Sequence, residues 1–216
     1  MTASSRRPRS ATATRTVRVP STLWALGPEP LDPDDRWPDP ILAHAIAEFS
    51  EPASRVMLVG WPTPAARGAL RVIEPDTAAA LAAIGDLDRH GLDAPTGRSH
   101  STEPVDLVVA SLLAGHVDPI AAAEHVTALA TEVTEMGGLL VVLSRCHYSD
   151  SGTLFDPAGS VVAAAQAADL LYLQHIIAAP ISGTTITAPA DPAPSGTARH
   201  LVAHTDVFVF LQPAHG

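Results

Sequence analysis

Ser111 ends a run that could deliver a polar group to a bound ligand. It lies in "VDLVVASLLAGH", residues 105 to 116, where apolar residues lead from Asp106 to the hydroxyl and then to a small-residue turn. A continuous apolar run of this kind reads as a parallel strand buried on both faces, and the carboxyl ends of such strands open onto ligand crevices. Cys146 and His147 set a thiol beside a base, but neighbours on an extended segment point to opposite faces, so the two are not expected to meet. His116, His125, His147 and His175 are scattered, with no H-E-x-x-H and no i, i+4 pair, so no metal site is expected. Asp118 and Pro119 read as a helix cap followed by a first-turn proline. Gly137 and Gly138 read as the turn into a strand, because a phosphate cradle needs the strand before it and the helix after it.

The elements that must position these residues follow from the apolar spacing. "TVRVPSTLWALG" reads as a short strand, and the Pro- and Asp-rich loop "PEPLDPDDRWPDP" follows it. In "DPILAHAIAEFS" the residues Ile41, Leu42, Ala45, Ile46 and Phe49 line one helical face, with Asp39 placed to cap it. "SRVMLVGW" is a buried strand ending at Gly60. "GALRVIEPD" reads as a second strand ending at Glu74, and "TAAALAAIGDLDRHG" as a helix stopped by Gly91. The stretch from Gly91 to Pro104 reads as a loop with room for one weak strand. Beyond Ser111 come a helix from about Asp118 to Glu135, the strand "GGLLVVLS", the helix "DPAGSVVAAAQAADL", the strand "LYLQHIIAAP" and the strand "HTDVFVFLQ". Strands alternating with helices call for an α/β fold with a mostly parallel sheet covered on both faces. The last two strands are joined only by a loop, which predicts an antiparallel pair at or near the sheet edge.

The 216 residues fit one domain of ordinary size. Residues 1 to 16 read as a disordered basic tail and 17 to 216 as the domain. Arg6, Arg7, Arg9, Arg15 and Arg18 precede any acidic residue, so the body sets eight basic residues against 23 acidic ones. Such a body repels a phosphate backbone and argues against an autonomous duplex-DNA binder. A single cysteine excludes an internal disulfide, and no apolar stretch reaches the roughly 20 residues of a membrane span. A soluble, cytoplasmic protein is expected, with no membrane partner.

A Rossmann-like sheet finished by an antiparallel pair is the arrangement of class I S-adenosylmethionine-dependent methyltransferases. Four segments resemble the amino-directed (N4-cytosine/N6-adenine) DNA methylases of actinobacterial genomes: "DPILAHAIAEFSEPASRVMLVG", "VDLVVAS", "GGLLVVLSRCHYSDSGTLFDPAGSVVAAAQAADL" and "RHLVAHTDVFVFLQP". The resemblance implies S-adenosylmethionine as cofactor, held near Gly60 and Trp61, with Glu74 accepting hydrogen bonds from the ribose. It also implies that Ser111 stands where such enzymes orient the target amine, and that DNA or an active methylase homologue is the partner.

The family's usual motifs are altered. Its Gly-rich cofactor turn corresponds to "VGWPTPAARG", where Trp61 and Pro62 add bulk and remove a donor. Its polar-Pro-Pro-aromatic catalytic motif corresponds to Ser111, Leu112, Leu113 and Ala114, in which only the serine fits. The resemblance therefore implies a degenerate relative, weakly active or inactive. A non-catalytic interaction or regulatory protein, and a small-molecule methyltransferase, are the other classes the same residues allow.

Overall fold

The computed structural model describes residues 22–61, 73–94, 103–113, 118–148, 153–188 and 202–214. In chain order the elements are β1 (Leu23–Leu26), α1 (Asp39–Phe49), β2 (Arg55–Gly60), α2 (Pro75–Asp86), β3 (His90–Asp93), β4 (Val105–Ser111), α3 (Pro119–Val133), β5 (Thr134–Ser144), β6 (His147–Tyr148), β7 (Leu154–Phe155), α4 (Ala158–Ala167), β8 (Leu171–Ser182), β9 (Thr185–Ile186) and β10 (Thr205–Leu211). The basic tail, Pro62, His116 and most of "GALRVIEPD" lie outside the described residues.

Seven strands form one sheet in the order β1-β8-β10-β5-β4-β2-β3, with β9 paired to the end of β8 and β6-β7 forming a separate two-stranded piece. Every neighbouring pair along the seven is parallel except those made by β10, which runs antiparallel between β5 and β8. The fold is α/β, a Rossmann-like mostly parallel sheet flanked by helices and closed by an antiparallel pair. That pair is not the outermost one, because β1 adds a parallel strand beyond β8.

The period-2 alternation of the strands sorts their side chains onto two faces, and each face meets a helix pair. Val56, Leu58, Leu107, Val109, Val141, Leu143, Val207 and Val209 join Ile41, Leu42, Ile46, Ala80 and Ile84 of α1 and α2 in one core cluster. Met57, Val59, Val108, Ala110, Leu140, Val142, Phe208 and Phe210 join Ala122, Val126, Ala130, Val161 and Ala165 of α3 and α4 in the other. Nearly all are fully buried, so the central strands read as unbroken apolar runs rather than alternating ones.

Local chemistry accounts for most helix boundaries. Asp118 caps α3 as expected, its carboxylate accepting from the backbone N–H groups of Ile120 and Ala121 at 3.0 and 3.3 Å. Asp39 does not cap α1: it is the first helical residue, Pro38 precedes it, and its carboxylate lies in the acidic-favoured first turn. Gly137 adopts φ +87°, a backbone conformation that favours glycine, and a Cβ on Gly138 would sit 2.9 Å from the carbonyl oxygen of Asp106. These glycines sit inside β5, near its irregular start against β4, rather than ahead of it.

One expected element is corrected. The strand beside β2 is β3, His90–Asp93, not a strand ending at Glu74. Glu74 immediately precedes α2, which ends at Asp86 before Gly91 is reached.

Candidate functional site

The chain leaves β2 toward β3 on one side and returns to β4 on the other, so the topological switch point lies between the carboxyl ends of β2 and β4. Open α/β sheets bind ligands at that position. Gly60 and Ser111 are register partners there, and the backbone N–H of Trp61 donates to the Ser111 carbonyl at 3.1 Å. The structure therefore brings Gly60, Trp61 and Ser111 together. Glu74 is not at a strand end; it is exposed at the start of α2. The carboxylate at the end of the strand next to β2 is Asp93, level with Leu58.

The alternation that sorts the core also decides where Trp61 goes. Met57 and Val59 face α3, so Trp61 does too, packing against that cluster with its ring centroid 5.2 Å from that of His125. It does not fill the space beside Gly60. That space is taken by a segment of the Pro- and Asp-rich loop, Asp32–Pro38, which crosses the carboxyl edge of the sheet as a strap.

Three contacts fix the strap across β5, β4 and β2 in turn. Arg145, just beyond β5, donates from Nη1 to the Asp32 carbonyl at 3.2 Å and from Nη2 to Thr205 Oγ1 at 3.1 Å. Ser111 Oγ, wholly buried at the end of β4, donates to the Arg36 carbonyl at 2.6 Å and accepts from the Leu113 N–H at 3.4 Å. Over the end of β2, a Cβ on Gly60 would meet Arg36 Cδ at 3.3 Å and Arg36 Nη1 at 3.4 Å. The chain's own arginine comes close there, and a Cβ on Gly60 would make its side chain give by a few tenths of an ångström.

Arg36 Nε lies 3.5 Å from Asp76 Oδ2 in the first turn of α2. It is buried and makes no hydrogen bond among the described residues. Next to it, the buried Trp37 donates from Nε1 to Thr77 Oγ1 at 3.1 Å, tying the strap to the same helix turn. Leu112 and Leu113, which stand where the resemblance would put prolines, are buried in opposite core clusters.

Asp35 accepts from the Trp37 N–H at 2.9 Å. Burial pushes its carboxyl above the ordinary 3.8, Asp32 and Asp39 push the same way, and the Trp37 hydrogen bond and the Arg145 guanidinium oppose them. A carboxyl raised in the folded state contributes stability that is present below its unfolded value and is lost as pH rises through the folded one. Asp35→Asn is therefore expected to stabilise the protein modestly at pH 7 and to lose that advantage near pH 3.5, below the ordinary carboxyl value. Thermal midpoints of both proteins at the two pH values check this; a variant less stable than wild type at pH 7 would mean that pairing with Arg145 outweighs burial.

The remaining reactive side chains do not converge on the switch point. His175 Nε2 lies 2.8 Å from Oδ1 of the buried Asp206, and His204 Nε2 lies 3.5 Å from the same oxygen. The Cys146 thiol is pushed up by burial, then by Asp156 and Asp206, which disfavours the thiolate a nucleophile needs. His147 stacks on Phe155 instead, with centroids 5.5 Å apart. No group of three or more His, Cys, Asp or Glu that could hold a metal occurs among the described residues. Likewise, none of their helices is long and apolar enough to cross a membrane. An open groove between α3 and α4 is lined by Ile120, Thr127, Ala128, Ala163 and Ala164, with Glu124 as its one carboxylate.

The strap was hidden from sequence reasoning. Its signal was Trp37, a large aromatic between Arg36 and Pro38 in an otherwise polar loop, since such a ring is usually buried with its N–H partnered. Asp93 was masked by the brevity of β3.

The sequence matches no protein-family model and no curated protein. Among solved structures, the chain is similar to the N-methyltransferase NodS from Bradyrhizobium japonicum in complex with S-adenosyl-L-homocysteine, at 14% identity over 82% of this chain and 86% of that one, with a TM-score of 0.46. It is similar to a TehB-like S-adenosylmethionine-dependent methyltransferase from Corynebacterium glutamicum at 12% identity, over 79% and 86% of the two chains, with a TM-score of 0.40. A candidate DNA modification methylase from Thermus thermophilus is 11% identical over 89% of this chain and 53% of its own, with a TM-score of 0.35.

Proposed function

We propose that the protein is a methyltransferase-fold relative of amino-directed DNA methylases whose catalytic position has become a structural tie, and that it acts through binding a partner rather than by transferring methyl groups. One observation carries this reading: Ser111 Oγ is fully buried beneath the strap, its proton donated to the Arg36 carbonyl, so no target amine can reach the hydroxyl that would orient it. An aromatic platform on the following residues would contribute roughly 1 to 3 kcal/mol per stacked base, and Leu112 and Leu113 are core residues instead. The acidic body supports a protein partner, such as an active methylase homologue, over direct contact with DNA phosphates.

A small-molecule methyltransferase is the second reading. Asp93 favours it, because a carboxylate at the end of the strand beside β2 is suited to accept hydrogen bonds from a ribose. One experiment separates the two. Titration with S-adenosylmethionine well above micromolar, followed by transfer of a labelled methyl group to duplex DNA and to small amines and alcohols, is expected to give no heat, no thermal stabilisation and background transfer. Ligand at about 100 times its dissociation constant would stabilise the fold by about 2.7 kcal/mol. A shift of that size with transfer to a small acceptor would replace the first reading by the second.

A further inference from the structure

The geometry points to Arg36 as an intramolecular occupant of the switch-point crevice: its guanidinium, carried by the Asp32–Pro38 strap, holds the place of a cationic ligand over Gly60 and excludes that ligand. The inference rests on the reading above that this crevice descends from a cofactor position. It goes further in naming what closes the crevice and in making the closure reversible.

Three observations converge on it. First, the Arg36 side chain occupies the space above the one residue at the end of β2 that lacks a side chain: its Cδ methylene lies 3.3 Å and its guanidinium Nη1 3.4 Å from where a Cβ would be, with Trp37 Cζ2 next at 3.8 Å. Second, its counter-charge is Asp76 in the first turn of α2, a helix that follows β2 and packs on the same face of the sheet. Carboxylates prefer that end of a helix, so Asp76 is positioned independently of Arg36 and would remain a cation acceptor in its absence. Third, the pair is imperfect. Arg36 Nε is buried, 3.5 Å from Asp76 Oδ2, and has no hydrogen bond among the described residues, whereas a guanidinium and a carboxylate built to hold one another adopt a bidentate fork. A guanidinium held this loosely can be displaced by a ligand with better complementarity.

The rest of the strap does not depend on the arginine side chain. Its hold on β4 uses the Arg36 carbonyl, its hold on α2 uses Trp37 and Thr77, and its hold on β5 uses Arg145 and the Asp32 carbonyl. Arg36→Ala should therefore empty the space over Gly60 while leaving the strap in place and the fold intact. An apparent affinity falls in proportion to the fraction of molecules in which the site is open, so removing an occupant present nearly all the time raises affinity at least tenfold.

The test uses the full chain and two probes, S-adenosylmethionine with its sulfonium and S-adenosylhomocysteine with its neutral sulfur, titrated calorimetrically into wild type, Arg36→Ala and Arg36→Lys. Circular dichroism and thermal midpoints establish that each variant is folded. Arg36→Ala is expected to bind S-adenosylmethionine at least tenfold more tightly than wild type, with a smaller gain for S-adenosylhomocysteine, and Arg36→Lys to behave as wild type. Equal affinity in folded Arg36→Ala and wild type, including no binding by either, overturns the inference. An equal gain for both probes overturns the assignment of Arg36 as a stand-in for a cation. The proposed loss of catalysis is decided separately: wild type that binds S-adenosylmethionine at micromolar concentration and transfers its methyl group refutes that reading, whatever Arg36→Ala does.

Discussion

Replacing Trp37 by alanine is expected to lower the folding free energy by about 3 to 5 kcal/mol, the range for deleting a large buried aromatic. The indole is 3% exposed, packs in the core cluster shared with α1 and α2, and donates to Thr77 Oγ1. Its removal opens a cavity beneath the strap and leaves the buried Thr77 hydroxyl without that donor. Trp37→Phe retains most of the apolar contact and loses the hydrogen bond, so its cost should be less than half as large. Urea denaturation of the two variants, with an unchanged slope, checks both numbers. A loss under about 1 kcal/mol for the alanine variant would mean that the strap is only loosely docked, and the account of the crevice given above would go with it.

Phe208→Ala should cost a similar 3 to 5 kcal/mol, but on the opposite face of the sheet. Phe208 lies in β10, between β5 and β8, at 1% exposure in the cluster formed with α3 and α4. Its ring also stacks on His175, with centroids 4.5 Å apart and planes 21° from parallel. Deleting it removes core volume and frees the imidazole that reaches Asp206. For a domain of this length the thermal midpoint should fall by about 10 °C, whereas Phe208→Leu should retain most of the stability. A fall of only a degree or two would show that β8 and the helices close around the cavity. The two substitutions are on different faces and share no partner, so their effects should add.

Much of the fold was legible because buried parallel strands announce themselves. "RVMLVG", "VDLVVAS", "GGLLVVLS" and "DVFVF" became the four central strands, and the last two long strands form the expected antiparallel pair. Asp118 was legible as a cap because its side chain acts on backbone two and three residues away, within reach of a sequence window. What failed was non-local. β3 is four residues long and contains His90, Gly91 and Asp93, so nothing in its text reads as a strand; it forms because β2 offers it a register. For that reason the carboxylate at a strand end was expected at Glu74 and is found at Asp93.

The candidate site divided along the same line. Gly60, Trp61 and Ser111 were singled out by the ends of their strands, and that they lie side by side is a direct result of register. What the side chains do was not legible. Trp61 turns to α3 because of its parity along β2, and the contact that occupies Ser111 comes from a residue far earlier in the chain. Arg36 belongs to a loop whose composition suggests only solvent, and no local pattern reports that it folds back over a glycine.

The pairing of Leu23 with Ile177 has a consequence for the order in which the molecule is completed. The strap lies between β1 and α1, and β1 has no partner until β8 has been synthesised. β1 is thus anchored by a strand far later in the sequence, and closing so long a loop is slow compared with pairing neighbours in sequence. The parallel strands β2, β4 and β5 can assemble while the strap is still held at one end only. Folding in that order would leave Gly60 and Ser111 accessible until β1 pairs with β8, so that the strap closes the crevice last.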